Sequence, residues 1–135
     1  MAKLNRTDAE WRAQLTPEQY RILRQAGTEP PWSGELLNVA GKGQFRCAGC
    51  GAPLFASQSK FDSGSGWPSF TAPVSDDAVD SKMDQSHGMV RTEVRCASCS
   101  GHLGHVFPDG PGPDGLRYCI NSAALDFRGE GDGDD

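Results

Sequence analysis

Apolar positions recur with helical spacing only at the front of the chain. Trp11 and Leu15 stand at i and i+4, preceded by Thr7 as a cap and Glu10 as its capping-box partner. Tyr20, Ile22 and Leu23 form a second apolar stripe. It opens with Thr16 as cap, Pro17 at the first helical position and Gln19 as box partner, and it stops at Gly27. Beyond Thr28 the pattern changes. GTEPPWSGE is an extended loop pinned by its prolines, and Glu35 to Ala40 with Gln44 to Arg46 reads as two strands joined across GKG. Met89 to Arg95 alternates long side chains with Val and Thr, as a half-buried strand does. Leu116 to Phe127, entered from PDGPGPDG, reads as a further strand that can carry a bulge. The expected architecture is two short helices followed by antiparallel sheet.

Composition narrows this to one turn-rich domain over residues 1–128. The chain has 135 residues with 17 glycines and 9 prolines, a high share but below that of low-complexity sequence. The net charge is −5, with 13 Lys and Arg against 18 Asp and Glu. Four of those acids, Glu130, Asp132, Asp134 and Asp135, fall in GEGDGDD at 129–135, which reads as a solvated, disordered acidic tail. The body is close to neutral, so it lacks the basic field that draws a protein to a phosphate backbone, and no nucleic-acid partner is expected. No apolar run approaches the ~18 residues of a membrane span, and the first twelve residues have no signal-peptide core. A cytoplasmic protein without a membrane partner is the expectation.

Five cysteines change the picture further, because an odd set cannot all pair within one chain. Cys47-Ala-Gly-Cys50 and Cys96-Ala-Ser-Cys99 are two CxxC knuckles separated by 45 residues. Zinc favours four thiolates in a tetrahedron, and the two-residue spacing lets both sulfurs of a knuckle reach one ion. Gly49, Gly51 and Gly101 allow tight backbone turns there. A redox-active CxxC is the competing reading, but it belongs in a βαβ context that this chain does not present. One structural zinc ion per chain is therefore expected, on Cys47, Cys50, Cys96 and Cys99. A closed four-thiolate site stabilises and does not catalyse.

Cys119 is left over, in LRYCINS. On a strand, Arg117, Cys119 and Asn121 share one face while Tyr118 and Ile120 take the other. Arg117 favours the thiolate, the reactive form, although a single free cysteine is more often an inert small hydrophobe. GHLGHVF supplies His102 and His105, each preceded by a glycine that permits close approach. Imidazole is the usual partner of an activated thiol; the alternative is that both histidines pack beside the knuckle at Cys99. His87, in SHGMV, has no such company. Trp67, ringed by glycine and proline in FDSGSGWPSF, is either the wall of an apolar pocket or a core tryptophan.

Together GTEPPWSGE, CAGCGAPLF, KFDSGSGWPSF, SHGMVRTEV and CASCSGHLGHVFPDGPGPDGLRYCINSAAL resemble the methionine-R-sulfoxide reductases of the B type, from about Leu15 to Phe127. The resemblance implies a mainly β fold of two antiparallel sheets with the short N-terminal helices and a four-cysteine zinc site. It implies reduction of the R epimer of methionine sulfoxide, free or protein-bound. It makes Cys119 the nucleophile, His105 the acid near the sulfoxide oxygen, His102 its support, and Asn121 a positioning group. Trp67 holds the substrate methyl group, with Phe107 and Arg117 also at the substrate. Oxidised proteins or peptides are the implied partners, acted on by a monomer.

One position departs from the pattern. Many members carry a second redox cysteine in GCGWPSF, where this chain has Ser65. With four cysteines on zinc, none remains to resolve oxidised Cys119, so recycling is expected from outside: thioredoxin, glutaredoxin or a small thiol. Two other readings compete with the reductase. A zinc-ribbon binding module fits the knuckles but leaves His102, His105, Cys119 and Asn121 unexplained. The other is an enzyme of the same ancestry that has lost activity and kept only its fold.

Overall fold

The computed structural model describes residues 7–25, 27–32, 34, 36, 42–61, 63–75, 77–85, 88, 90–113 and 115–129. Both expected helices are present. In α1 (Asp8–Gln14) the Thr7 hydroxyl accepts from the Glu10 N–H at 3.2 Å, and the Glu10 carboxylate accepts from the Thr7 N–H at 2.8 Å. In α2 (Pro17–Gln25), Thr16 and Gln19 repeat that exchange at 3.1 and 2.9 Å. Each box satisfies two backbone donors, among them one of the N–H groups that a helix start leaves orphaned. The Gly27 N–H returns to the Arg21 carbonyl at 2.9 Å and closes α2.

The strands are β1 (Gly43–Cys47), β2 (Pro53–Ala56), β3 (Lys60–Phe61), β4 (Ser69–Phe70), β5 (Val79–Asp84), β6 (Arg91–Cys96), β7 (His102–Phe107), β8 (Arg117–Ile120) and β9 (Leu125–Gly129). They form two antiparallel sheets, as expected: a small one ordered β2-β1-β9 and a larger one ordered β3-β4-β8-β7-β6-β5.

Three expectations need correction. The strand over Leu116 to Phe127 is two strands in different sheets, β8 and β9, joined by Asn121 and a 3-10 turn at Ser122–Ala124. Buried Asn121 and Ser122 and two alanines are poor strand formers, and there the chain crosses between layers. The hairpin across GKG is not the one that forms: β1 pairs with β2 across the Cys47–Cys50 knuckle and with β9 on its other edge. Most of Glu35 to Ala40 lies outside the described residues. Gly129, assigned to the tail, ends β9; the rest of that tail lies outside the described residues, as do His87 and Met89.

The core lies between the sheets. Phe55 of the small sheet stacks on Phe70 of the large one at 4.4 Å, and Phe45 meets Phe70 edge-on at 5.0 Å. Both helices cover the cysteine knuckles. Gln14 donates to the Gly49 carbonyl, and Arg24 donates to the Cys99 carbonyl at 3.0 Å. The ring of Trp11 and the side chain of Leu23 close over Gly49. Among the described residues, no helix is long and apolar enough to cross a membrane.

Candidate functional site

The two knuckles fold alike. In each, the N–H after the second cysteine donates to the carbonyl of the first at 2.8 Å: Gly51 to Cys47, and Ser100 to Cys96. Both donors sit in the left-handed region, Gly51 at φ 80° and Ser100 at φ 64°. These matched turns aim all four sulfurs inward. Cys47 Sγ lies 3.7 Å from Cys99 Sγ, Cys50 Sγ lies 3.5 Å from Cys96 Sγ, and the four atoms all fall within 4.8 Å of one another. A tetrahedral zinc with Zn–S bonds of about 2.3 Å has sulfurs about 3.8 Å apart. The donor set fits, and the cluster can hold a metal ion. Hydrogen bonds among the four thiols lower Cys50 and Cys96 and raise Cys47 and Cys99, so a full set of thiolates forms only with a cation to hold them.

On the large sheet, register places the remaining candidates. Residues directly opposite one another in antiparallel strands face the same side. Glu93 pairs with His105, His105 with Cys119, Cys119 with Ser69 and Ser69 with Phe61, so one row crosses β6, β7, β8, β4 and β3. On the opposite face Val106, Tyr118 and Phe70 form an apolar row against the core. Gly104 makes the close pairing of β7 and β8 possible, since a Cβ there would meet the Cys119 carbonyl oxygen at 2.0 Å.

His102 and His105 are three residues apart, so a regular strand would send them to opposite faces. A bulge restores them to one side: Arg95 pairs with His102 and Val94 with Gly104, leaving Leu103 as the extra residue. The rings come to 5.4 Å. Asn121 clamps that bulge, its backbone N–H and its side-chain Nδ2 both donating to the Leu103 carbonyl, at 2.9 and 3.0 Å. Each histidine has a carboxylate partner. His102 Nδ1 lies 2.6 Å from Glu93 Oε2, and His105 Nε2 lies 2.9 Å from Asp84 Oδ2. Burial lowers the pKa of His102 although Glu93 pulls it the other way. Burial raises Glu93, but the hydrogen bonds to His102 and Arg95 outweigh it and leave that carboxyl lowered. The pair is a neutral imidazole donating to a carboxylate.

A cavity of about 220 Å³ opens onto this row, lined by His105, Phe107, Arg117, Cys119, Asn121 and Trp67 among others. His102 is not in its wall; it lies behind His105 against Glu93. A larger cavity of about 510 Å³ lies beyond Ser122 and holds neither cysteine nor histidine. Cys119 is half-buried, with its Sγ 3.8 Å from Ser65 Oγ. Burial pushes its thiol up, and Ser65 and Arg117 pull it back only in part. Arg117 does favour the thiolate, as expected, but desolvation outweighs it. Arg117 lies over the Phe107 ring at 4.6 Å and is held by Asp109 at 2.8 Å.

Several residues of this site escaped the sequence reading. Glu93 and Asp84 did, and so did Arg91, which lines the cavity and lies 3.7 Å from Asp84. Glu29 is the most connected. Its backbone N–H donates to Asn121 Oδ1 at 3.0 Å, its carbonyl accepts from Trp67 Nε1 at 2.9 Å, and its carboxylate accepts from the Ala123 N–H at 3.0 Å. Burial raises its carboxyl. The proline-pinned loop around it was the only signal in the sequence.

Known proteins match the chain over most of its length. The SelR domain family matches residues 15–129. A peptide methionine sulfoxide reductase MsrB of Agrobacterium fabrum is 61% identical over 126 residues, covering 93% of each chain. The protein of the same name from Thiobacillus denitrificans is 62% identical over 123 residues, 91% of this chain and 93% of its own. That of Leptospira interrogans is 59% identical over 128 residues, 95% of this chain and 98% of its own. The resemblance carried by the sequence motifs is borne out, and the chain belongs to the SelR domain family alongside these MsrB reductases.

Proposed function

We propose that the protein reduces the R epimer of methionine sulfoxide, free or within oxidised proteins and peptides, with Cys119 as nucleophile. The observation that carries this reading is the row of Glu93, His105 and Cys119 opening into a cavity walled by Trp67. The Cys119 thiolate attacks the sulfoxide sulfur while His105, oriented by Asp84, donates a proton to the oxygen. The sulfur–oxygen bond of the substrate breaks, a sulfur–oxygen bond forms on Cys119, and methionine leaves with Cys119 as a sulfenic acid. Trp67 takes the substrate methyl group, so the S epimer would turn its oxygen against an apolar ring. Phe107 and Arg117 complete the wall, and His102 and Asn121 hold His105 in place through the bulge.

Ser65 stands 3.8 Å from Cys119 where many relatives of this type carry a second redox cysteine. An external thiol, thioredoxin or glutaredoxin therefore resolves the sulfenic acid. Zinc on Cys47, Cys50, Cys96 and Cys99 ties the two knuckles together and takes no part in the reaction. A single-domain monomer in the cytoplasm, where thiols are kept reduced, is the setting this chemistry requires. The test supplies R and S methionine sulfoxide with a thiol reductant to the wild-type protein and to Cys119→Ser. Turnover of the R epimer alone, lost in the variant, is the expected result. Failure of the wild-type protein to reduce either epimer would overturn the reading.

A further inference from the structure

Behind Cys119 lies a second opening. A groove of about 490 Å³ is lined by Phe61, Ser63, Asp109 and Pro111, and by Ser65 and Arg117. The last two also line the cavity that holds Cys119. They form a partition with Cys119 against it: Ser65 Oγ lies 3.8 Å from the sulfur, and the Arg117 charge acts on the thiol. Ser65 sits between Gly64 and Gly66, at φ 74° and 94°, and nothing lies within 4 Å of where a Gly64 Cβ would be. This part of the partition therefore borders open space.

The reaction needs two different molecules to reach one sulfur. The sulfoxide delivers its oxygen to Cys119 from the cavity side, where His105 and Trp67 stand. A thiolate that displaces this oxygen must approach in line, opposite the departing hydroxyl, and the groove offers such an approach where Ser65, 3.8 Å from the sulfur, gives way. We propose that the groove is the entry site for the reducing thiol, and that it favours a low-molecular-weight thiol bearing both a carboxylate and an ammonium group. This rests on the sulfenic acid reading given above.

Charge supplies the selectivity. Asp109 holds Arg117 by two contacts, at 2.8 and 3.3 Å, and its side chain is 63% exposed. Arg117 is only 18% exposed, so the pair opens to water on its Asp109 side. It can therefore exchange its internal contacts for those of a zwitterion, Arg117 taking the carboxylate and Asp109 the ammonium. A neutral thiol gains neither contact, and a thiol of single charge meets one like charge.

The chemistry balances. The entering thiolate forms a sulfur–sulfur bond to Cys119, the sulfur–oxygen bond breaks, and hydroxide takes a proton and leaves as water. A second thiolate of the same class attacks the outer sulfur of the mixed disulfide, and Cys119 departs as thiolate. Two thiols are oxidised to one disulfide, the Cys119 sulfur returns from sulfenic acid to thiolate, and the oxygen taken from the substrate leaves as water.

The experiment separates the two half-reactions. One equivalent of R methionine sulfoxide, given without reductant, should release one methionine per chain. The oxidised protein is then mixed with cysteine, 2-mercaptoethanol, cysteamine or 3-mercaptopropionate, and the mixed disulfide is followed by mass spectrometry, with rates normalised to thiolate. Cysteine should react about tenfold faster than the other three, the effect of one charge-assisted contact. The groove-filling Pro111→Trp should remove that advantage and leave the methionine burst unchanged, and Asp109→Asn should remove the advantage as well. A normal burst with all four thiols equally fast, or with cysteine unaffected in both variants, would overturn the groove as entry site. Absence of a burst in the wild-type protein would overturn the reductase reading, and the groove proposal with it.

Discussion

The cysteine cluster and the Cys119 row are both built around sulfur, yet they are assembled in opposite ways. The cluster comes from two local pieces of four residues each, folded by the same backbone turn and covered by two helices. The row takes its parts from β6, β7, β8 and β4, and each part is held by a different partner: His102 by Glu93, His105 by Asp84, the bulge by Asn121. One site is closed and its sulfurs face each other. The other is open to a cavity, and its sulfur faces outward. A closed sulfur cluster can be encoded locally and repeated, whereas the Cys119 row depends on strands that meet only in the folded sheet.

The largest test of this contrast removes one sulfur from each side. Cys96→Ser, or exhaustive chelation, should abolish cooperative thermal unfolding. A zinc ion on these four sulfurs, as proposed, would contribute about 10–16 kcal/mol in apparent terms, as much as the ~5–15 kcal/mol that holds a typical domain together. Cys119→Ser should keep its metal and its melting temperature while turnover falls to background. Elemental analysis and thermal melts measured side by side check both outcomes. A Cys96→Ser protein that melts like the wild type, or a Cys119→Ser protein that loses metal, would erase the distinction.

Gly104→Ala comes next, because it attacks the row where two strands approach most closely. The added methyl group would meet the Cys119 carbonyl oxygen at 2.0 Å, so β7 and β8 must part. A loss of about 1–3 kcal/mol is expected from the overpacking. Turnover should fall about a hundredfold, since a displacement near 1 Å between reacting groups costs that much. Zinc content should not change. Denaturant melts and steady-state rates on one preparation measure both.

The pH dependence of Cys119 sharpens the comparison, because burial acts on this thiol with no metal to offset it. Its pKa is raised by desolvation, with Ser65 and Arg117 opposing. Below that value the thiolate fraction is smaller than in an ordinary thiol with a pKa of about 8.5. Its alkylation by iodoacetamide should climb about tenfold per pH unit and level off only above that ordinary midpoint. Arg117→Met removes a lowering influence and should move the midpoint higher still. A plateau below pH 8, read from the modified Cys119 peptide, would show that the active-site charges outweigh desolvation.

This division also explains what the sequence made legible. Both helix starts, the two knuckles, the odd sulfur and the sharing of one face by Arg117 and Cys119 follow from spacing within a few residues. The bulge at Leu103 does not: it is defined by pairing between β6 and β7, and GHLGHVF carries two glycines that argue against a strand. Glu93 and Asp84 matter because of what lies across the sheet, and their own neighbours in the chain do not reveal it. The break at Asn121 was hidden for the same reason, since both halves of Leu116 to Phe127 have strand character but serve different sheets. Glu29 is a buried carboxylate in a loop, and its connections to Asn121, Trp67 and Ala123 all reach residues distant in sequence.

The smallest expected effect lies inside the cluster, at one of the two equivalent positions where the knuckles differ. Gly51 adopts φ 80° without a Cβ, whereas Ser100 adopts φ 64° with one. The left-handed conformation costs a residue with a side chain about 1–2 kcal/mol, and glycine gives back about 0.5–1 kcal/mol in chain entropy. Ser100→Gly should therefore stabilise the metal-loaded protein by less than about 1 kcal/mol, and Gly51→Ser should destabilise it by a similar amount. The Gly51 site leaves room for the change, with nothing within 4 Å of a Cβ, so backbone strain alone is read out. Equal and opposite shifts in denaturant midpoint at unchanged zinc content would show that the knuckles are energetically as well as geometrically equivalent. A Ser100→Gly protein that is less stable than the wild type would mean that the Ser100 side chain offsets its own strain, and the two halves of the cluster would then be alike in shape only.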